Sequence, residues 1–196
     1  MQGERNMITG GGYRNPLVGL YLMPRSLDYR DIQAYERYNP SRGIYEQYRP
    51  YPEEPGVPLS LSENPYWVAN RQISLGNKKR YMFSASLKYD VLSWLNVTGR
   101  VRIDNTASTI EEKIFASSAN LLTSSSRKGF YTNKNVNYEQ TYADIIANIN
   151  RNFGENLNLA ANVGASYNDR YRYGINIGGP LLTVPNLFSG ENLDPN

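Results

Sequence analysis

The acidic residues placed to invite pairing are Glu111-Glu112 and Asp104. Two carboxylates are what a glycosidase needs, one to protonate the leaving group and one to act as nucleophile or base. Adjacent residues on an extended chain point to opposite sides, and the pattern sets no second carboxylate beside either, so no catalytic residue is assigned. The 196-residue chain contains no His and no Cys. Imidazole proton shuttles, Ser–His and Cys–His nucleophile pairs, thiolate and imidazole metal ligands and disulfides are thereby excluded. Gly10-Gly11-Gly12 lacks the preceding strand, the following helix and the Lys of a phosphate loop, and reads as a flexible run. Asn96-Val97-Thr98 has the form of a glycosylation sequon but falls inside a predicted strand. The reading is of a protein that is not an enzyme, with no catalytic, cofactor-binding or metal site.

Charges and tyrosines remain. The 21 basic and 18 acidic residues are scattered along the chain, and no basic stripe follows a phosphate backbone, so no nucleic acid partner is expected. Tyrosine is unusually abundant, 17 residues against 5 Phe and 2 Trp. Such rings can stack on sugars, but loop packing and interfacial anchoring account better for any single one. Trp67 is read the same way, as a loop anchor. Mean hydropathy is −0.59 and the apolar runs are only a few residues long, too short for a membrane-crossing helix. Met1–Met7 lacks the basic and apolar regions of a secretory signal, so the chain reads either as cytoplasmic or as an internal piece of a longer exported protein.

The elements that would position these groups fall into three regions. Residues 1–78 carry Pro at 16, 24, 40, 50, 52, 55, 58 and 65 and predict a loop region with little regular structure, apart from a short helix around Leu27–Tyr38. From residue 79 the period becomes two. Tyr81, Phe83, Ala85, Leu87 and Tyr89 alternate with Met82, Ser84, Ser86, Lys88 and Asp90, and Leu95, Val97, Gly99, Val101 and Ile103 alternate with Asn96, Thr98, Arg100, Arg102 and Asp104. A hairpin centred on Leu92 sets Tyr89 against Leu95 and Tyr81 against Ile103. A second hairpin turns around Phe153-Gly154-Glu155-Asn156. Four antiparallel strands are predicted over about 79–90, 95–107, 136–152 and 156–169. A bulge or phase change is expected near Tyr138–Tyr142, where the aromatics fall on even positions. A long polar connection is expected over about Thr106 to Val136, and residues 171–196 form a second loop region.

The runs exceed the usual globular strand length of about 5–6 residues. Ten residues tilted by about 40° span roughly 25 Å, the height of a barrel's apolar band. Tyr81, Tyr89, Trp94, Phe153 and Tyr167 lie near the stripe margins, where interfacial girdles belong. The lipid-facing candidates are Tyr81, Phe83, Leu87, Tyr89, Leu95, Val97, Val101 and Ile103, with Ile145, Ile149, Leu157, Leu159 and Val163. The lumen-facing candidates are Lys88, Arg100, Arg102, Asp104 and Asp144. The fold class expected is all-β, a fragment of a large antiparallel transmembrane β-barrel, because four strands cannot close one. The other fold open to the pattern is a soluble β-sandwich carbohydrate-binding module, whose stripes would face each other in one dry core.

Several segments also resemble a known family. Asn15-Pro16-Leu17 with Leu20–Arg25, Asn64–Arg71, Leu87-Lys88-Tyr89-Asp90 with Trp94-Leu95-Asn96, and Gly99–Arg102 are similar to segments of SusC/RagA-type TonB-dependent outer-membrane transporters. So are Gly178-Gly179-Pro180-Leu181 and Val184–Phe188, and the series runs through nearly the whole chain in the family's order. The resemblance implies a mid-barrel portion of a bacterial outer-membrane transporter for oligosaccharides or peptides. It would contact outer-membrane lipid and work, through the full-length protein, with a SusD-like surface lipoprotein and with TonB. The family's plug has no counterpart in the chain, so the portion alone is expected to be inactive. In this frame the loops of 1–78 and 171–196 are extracellular.

Overall fold

The computed structural model of the chain describes residues 3–5, 14–51 and 63–195. The Gly10–Gly12 run and Pro52, Pro55 and Pro58 lie outside the described residues. The elements are β1 (Gly3–Arg5), α1 (Pro16–Tyr21), α2 (Tyr29–Gln33), β2 (Glu36–Asn39), β3 (Ile44–Gln47), α3 (Pro65–Arg71), β4 (Gln72–Leu92), β5 (Leu95–Phe115), β6 (Gly129–Phe153) and β7 (Leu157–Pro180), followed by a 3₁₀ turn at Gly190–Asn192. The chain is all-β in class. Its antiparallel sheet has the order β1-β4-β5-β6-β7 and is open, with β1 and β7 as its edges, and β2 and β3 form a separate hairpin.

The long strands overrun their sequence-based limits. Their lengths are 21, 21, 25 and 24 residues. β5 continues through Thr106–Phe115 and β6 starts at Gly129, so the expected polar connection narrows to residues 116–128. Both faces of the added parts are polar, and no apolar stripe marks them. They are held instead by polar cross-strand pairs such as Thr109 with Asn135 at 2.8 Å. β7 runs on to Pro180 because its odd-numbered stripe continues through Tyr171, Tyr173, Ile175 and Ile177.

Two compact units are distinguished by their internal contacts. The first comprises residues 1–77, 109–135 and 175–196. Here the region expected to lack regular structure contains three short helices and the β2–β3 hairpin. Two of the prolines read as breakers instead start helices: Pro16 and Pro65 occupy the first turn, where a missing N–H is harmless. Asn15 and Asn64 cap those helices through their side-chain oxygens. The expected helix around Leu27–Tyr38 is only Tyr29–Gln33, and the chain then extends into β2.

The buried centre of this unit is partly polar. Trp67 is fully buried and its ring N–H donates to Ser118 Oγ at 2.9 Å, so it is an internal anchor. Asn64 donates to the carbonyls of Ile32 and Tyr48, at 2.9 and 3.0 Å. Glu63 accepts from the Ala119 N–H at 2.7 Å and from Gln47 Nε2 at 3.1 Å, and also from Gln72. Burial pushes its carboxyl up to about 7, against the lowering effect of those donors. Loop tyrosines pack on one another: Tyr35 stacks on Tyr66 at 6.4 Å, and Tyr38 meets Tyr45 edge-on at 5.4 Å. Gly129, at φ 110°, has a neighbour that makes glycine necessary, since a Cβ there would lie 2.6 Å from the Ile114 carbonyl.

Candidate functional site

The second unit comprises residues 78–108 and 136–174, the middle of the four long strands. Side-chain pairs reveal its register. Arg80 bonds Asp104 and Arg102 reaches the Met82 sulfur, so the even positions of β4 and β5 share a face. The turn is Ser93-Trp94, between Leu92 and Leu95, and not centred on Leu92 as expected from the sequence. Between β5 and β6, Asn96 meets Asn148 at 2.8 Å, Arg100 meets Asp144 at 2.9 Å and Asn105 meets Glu139 at 3.3 Å. All three pairs are centred on Leu122. Between β6 and β7 the Leu181 N–H bonds the Gly129 carbonyl at 2.9 Å and Gly164 lies against Ile146, a register centred on Glu155. Asn150–Asn158 and Gln140–Asn168, each at 3.0 Å, are diagonal contacts within it. Gly154 has φ 71° and supplies the left-handed residue of that turn.

One register therefore joins β5 to β6 from residue 96 to residue 105 of β5, and no bulge interrupts it. The phase change expected near Tyr138–Tyr142 is absent. Both tyrosines occupy the same even-numbered face as Arg100 and Asp104 and line the same trough. The aromatic positions misled the pattern because tyrosine is amphipathic and suits either face of a half-wet sheet.

With the registers joined, the odd-numbered positions of the four strands share one face, and from Tyr81 to Val91, Leu95 to Ile103, Thr141 to Ile149 and Leu157 to Tyr167 they carry no charge. Charges stand on that face just beyond, at Lys79, Glu139, Asp169 and Arg151. The apolar side chains are uncovered: Leu87 is 75% exposed and Val163 65%. Every residue singled out as lipid-facing falls on this odd-numbered set.

The even-numbered face is polar and forms a trough of about 870 Å³. Asp104 accepts from Arg80 at 2.9 Å and lies 3.6 Å from Arg102, and Asp144 accepts from Arg100. The two carboxylates are only 5% and 8% exposed, whereas the side chains of Arg80, Arg100 and Arg102 are about half exposed. Lys88 stands away from this cluster, 3.8 Å from Asp90. Four of the five residues singled out as lumen-facing are therefore brought together and one is not. Sequence reading missed Arg80, Tyr138, Tyr142 and Arg170 on this wall, although extending the even parity of Arg100 and Asp144 along their strands would have found them.

The carboxylates first considered for chemistry are separated by function. Glu112 pairs with Arg14 at 2.9 Å, while Glu111 accepts from the Tyr131 hydroxyl at 3.1 Å and pairs with Lys113 at 3.0 Å. Asn96 of the sequon is engaged with Asn148 inside the sheet. Among the described residues no helix is long and apolar enough to cross a membrane, which bears on helices alone. In comparisons with known proteins, the chain matches no protein-family model and no curated protein.

Proposed function

We propose that the chain is a wall segment of a TonB-dependent transporter of the SusC/RagA type in the bacterial outer membrane. In this reading the complete barrel takes up oligosaccharides or peptides with a SusD-like lipoprotein and TonB as partners, and the segment is inactive alone. The observation that carries it is the uncharged, exposed block of odd-numbered positions on one face of the sheet. From Lys79 to Val91 a strand rises about 40 Å, or about 30 Å at a tilt of about 40°, which accommodates an apolar band about 25 Å tall. Tyr81 and Tyr167 edge one side of the block and Tyr89 the other, as interfacial girdles do. In lipid an open sheet must be completed by further strands, and among the described residues only the short β1 pairs with an outer edge of the four long strands. A soluble sandwich would need a second layer over the odd-numbered face, and that block is bare.

The test is recovery of the expressed chain with and without detergent, with circular dichroism and size-exclusion on each sample. A β-rich chain in micelles that aggregates in plain buffer supports the membrane reading. A compact, cooperatively unfolding β monomer in buffer overturns it.

A further inference from the structure

The even-numbered face of the second unit carries far more positive charge than its own carboxylates neutralise. Between residues 78–84, 100–108, 136–144 and 164–172, its cations are Lys78, Arg80, Arg100, Arg102, Arg170 and Arg172, by the period-two alternation of each strand. Its anions are Asp104 and Asp144 alone, an excess of four positive charges where the whole chain carries only +3. The carboxylates are enclosed by arginines and are not available to a ligand. Arg102 and Arg170 are the least engaged of the trough's cations: Arg102 meets Asp104 only at 3.6 Å and the Met82 sulfur at 3.0 Å, and Arg170 makes no ion pair among the described residues. Both line the trough, and Tyr138 and Tyr142 line it between them on β6.

We infer that this trough binds a carboxylate-bearing solute of the acidic-sugar type, with Arg102 and Arg170 receiving the carboxylates. A guanidinium matches a carboxylate with two parallel donors, and the tyrosines add flat apolar faces and hydroxyls suited to a sugar ring. Spacing fits a chain of units rather than one group. Arg102 and Arg170 lie on β5 and β7, two strands apart, or about 10 Å in the hydrogen-bonding direction, and two residues, or about 7 Å, apart along the strands. The inference rests on the transporter reading for its biological sense, since a substrate must pass such a wall, but the charge excess belongs to the chain itself.

The experiment titrates the full chain, refolded in micelles and checked by circular dichroism, with tetragalacturonate, with the neutral galactose tetramer and with a tetraglutamate peptide. Tetragalacturonate should bind at least about tenfold more tightly than the neutral tetramer, and Arg102→Gln with Arg170→Gln should remove about tenfold of that affinity. Arg25→Gln with Arg30→Gln lowers the net charge equally on exposed residues of the first unit and should leave binding unchanged. Equal binding of the acidic and neutral sugars, or equal loss in the two double variants, overturns the inference. Tighter binding of tetraglutamate than of tetragalacturonate also overturns it and makes the wall a dock for an acidic protein segment. Discrimination by a chain that is monomeric and β-rich in plain buffer keeps the acidic-sugar site and discards the membrane reading. A β-rich micellar chain that does not discriminate does the reverse. A chain that is β-rich in neither medium overturns both.

Discussion

The Arg100 Nε donates to both oxygens of Asp144, at 2.9 and 3.1 Å, across the β5–β6 ladder. Asp144 thus occupies one of the trough's arginines. Asp144→Asn leaves a neutral side chain of the same shape and raises the positive charge of the wall by one. Tetragalacturonate affinity should rise about threefold at low ionic strength, and the gain should shrink by about 0.5 M salt as screening shortens the reach of the freed charge. Titration at two salt concentrations checks this. A fall in affinity instead would assign Asp144 the task of orienting Arg100 toward the ligand.

Glu63 should give the first unit an inverted pH dependence. Its carboxyl titrates at about 7 in the folded chain against an ordinary value of 4.5. The folded state therefore binds more protons than the unfolded state between those values, and stability falls as pH rises through that window. The full difference is about 3 kcal/mol, present below about pH 4.5 and lost by about pH 7. Glu63→Gln keeps an acceptor for the Ala119 N–H and has no charge to bury. Denaturant midpoints at pH 5 and pH 8 should therefore converge in this variant, with the gain seen at pH 8.

Asn64 is the most heavily used side chain at the start of α3. It is fully buried, caps the helix through the Tyr66 N–H and donates to the Ile32 and Tyr48 carbonyls. Asn64→Ala should cost about 2–4 kcal/mol, combining a lost cap with two stranded carbonyls. Asn64→Ser keeps a capping oxygen and loses both amide donors without burying a charge, so the difference between the two variants in urea unfolding measures the cap at about 1 kcal/mol. Equal losses in both would show that the cap contributes nothing.

The strands of the second unit were legible because a period of two survives wherever one face is apolar. Tyr81–Tyr89 and Leu95–Ile103 expose that period directly and locate the hairpin, although its turn falls at Ser93-Trp94 and not around Leu92. It fails where both faces are polar, as in Thr106–Phe115, where the strand is held by Thr109, Glu111 and Glu112 reaching polar partners. Tyr138 and Tyr142 show a second kind of failure. A phenol ring reads as apolar in a pattern and yet sits on the charged wall, so parity against its neighbours is the better guide. The polar centre built on Glu63 and Asn64 was not legible, because its partners come from positions 32, 47, 48, 72 and 119, and no local spacing unites them.

Ile145 and Ile146 are adjacent, and the register places them on opposite faces at mid-height of the uncharged block. Ile145 lies between Gly99 of β5 and Ala165 of β7 on the uncharged face, whereas Ile146 is two residues on from Asp144 on the polar wall. If the odd-numbered face meets lipid, Ile145→Lys places a charge near the middle of the hydrocarbon and should cost about 2–4 kcal/mol. Ile146→Lys places the same charge on a hydrated wall and should cost under about 1 kcal/mol, within the range of ordinary surface changes. Urea unfolding of both variants in lipid vesicles makes the comparison, with helix-free β content checked by circular dichroism. A ranking reversed between the two would mean that the even-numbered face is the dry one. Equal and small costs would mean that neither face is in lipid, because in water a lysine on a bare apolar strand is nearly neutral to stability.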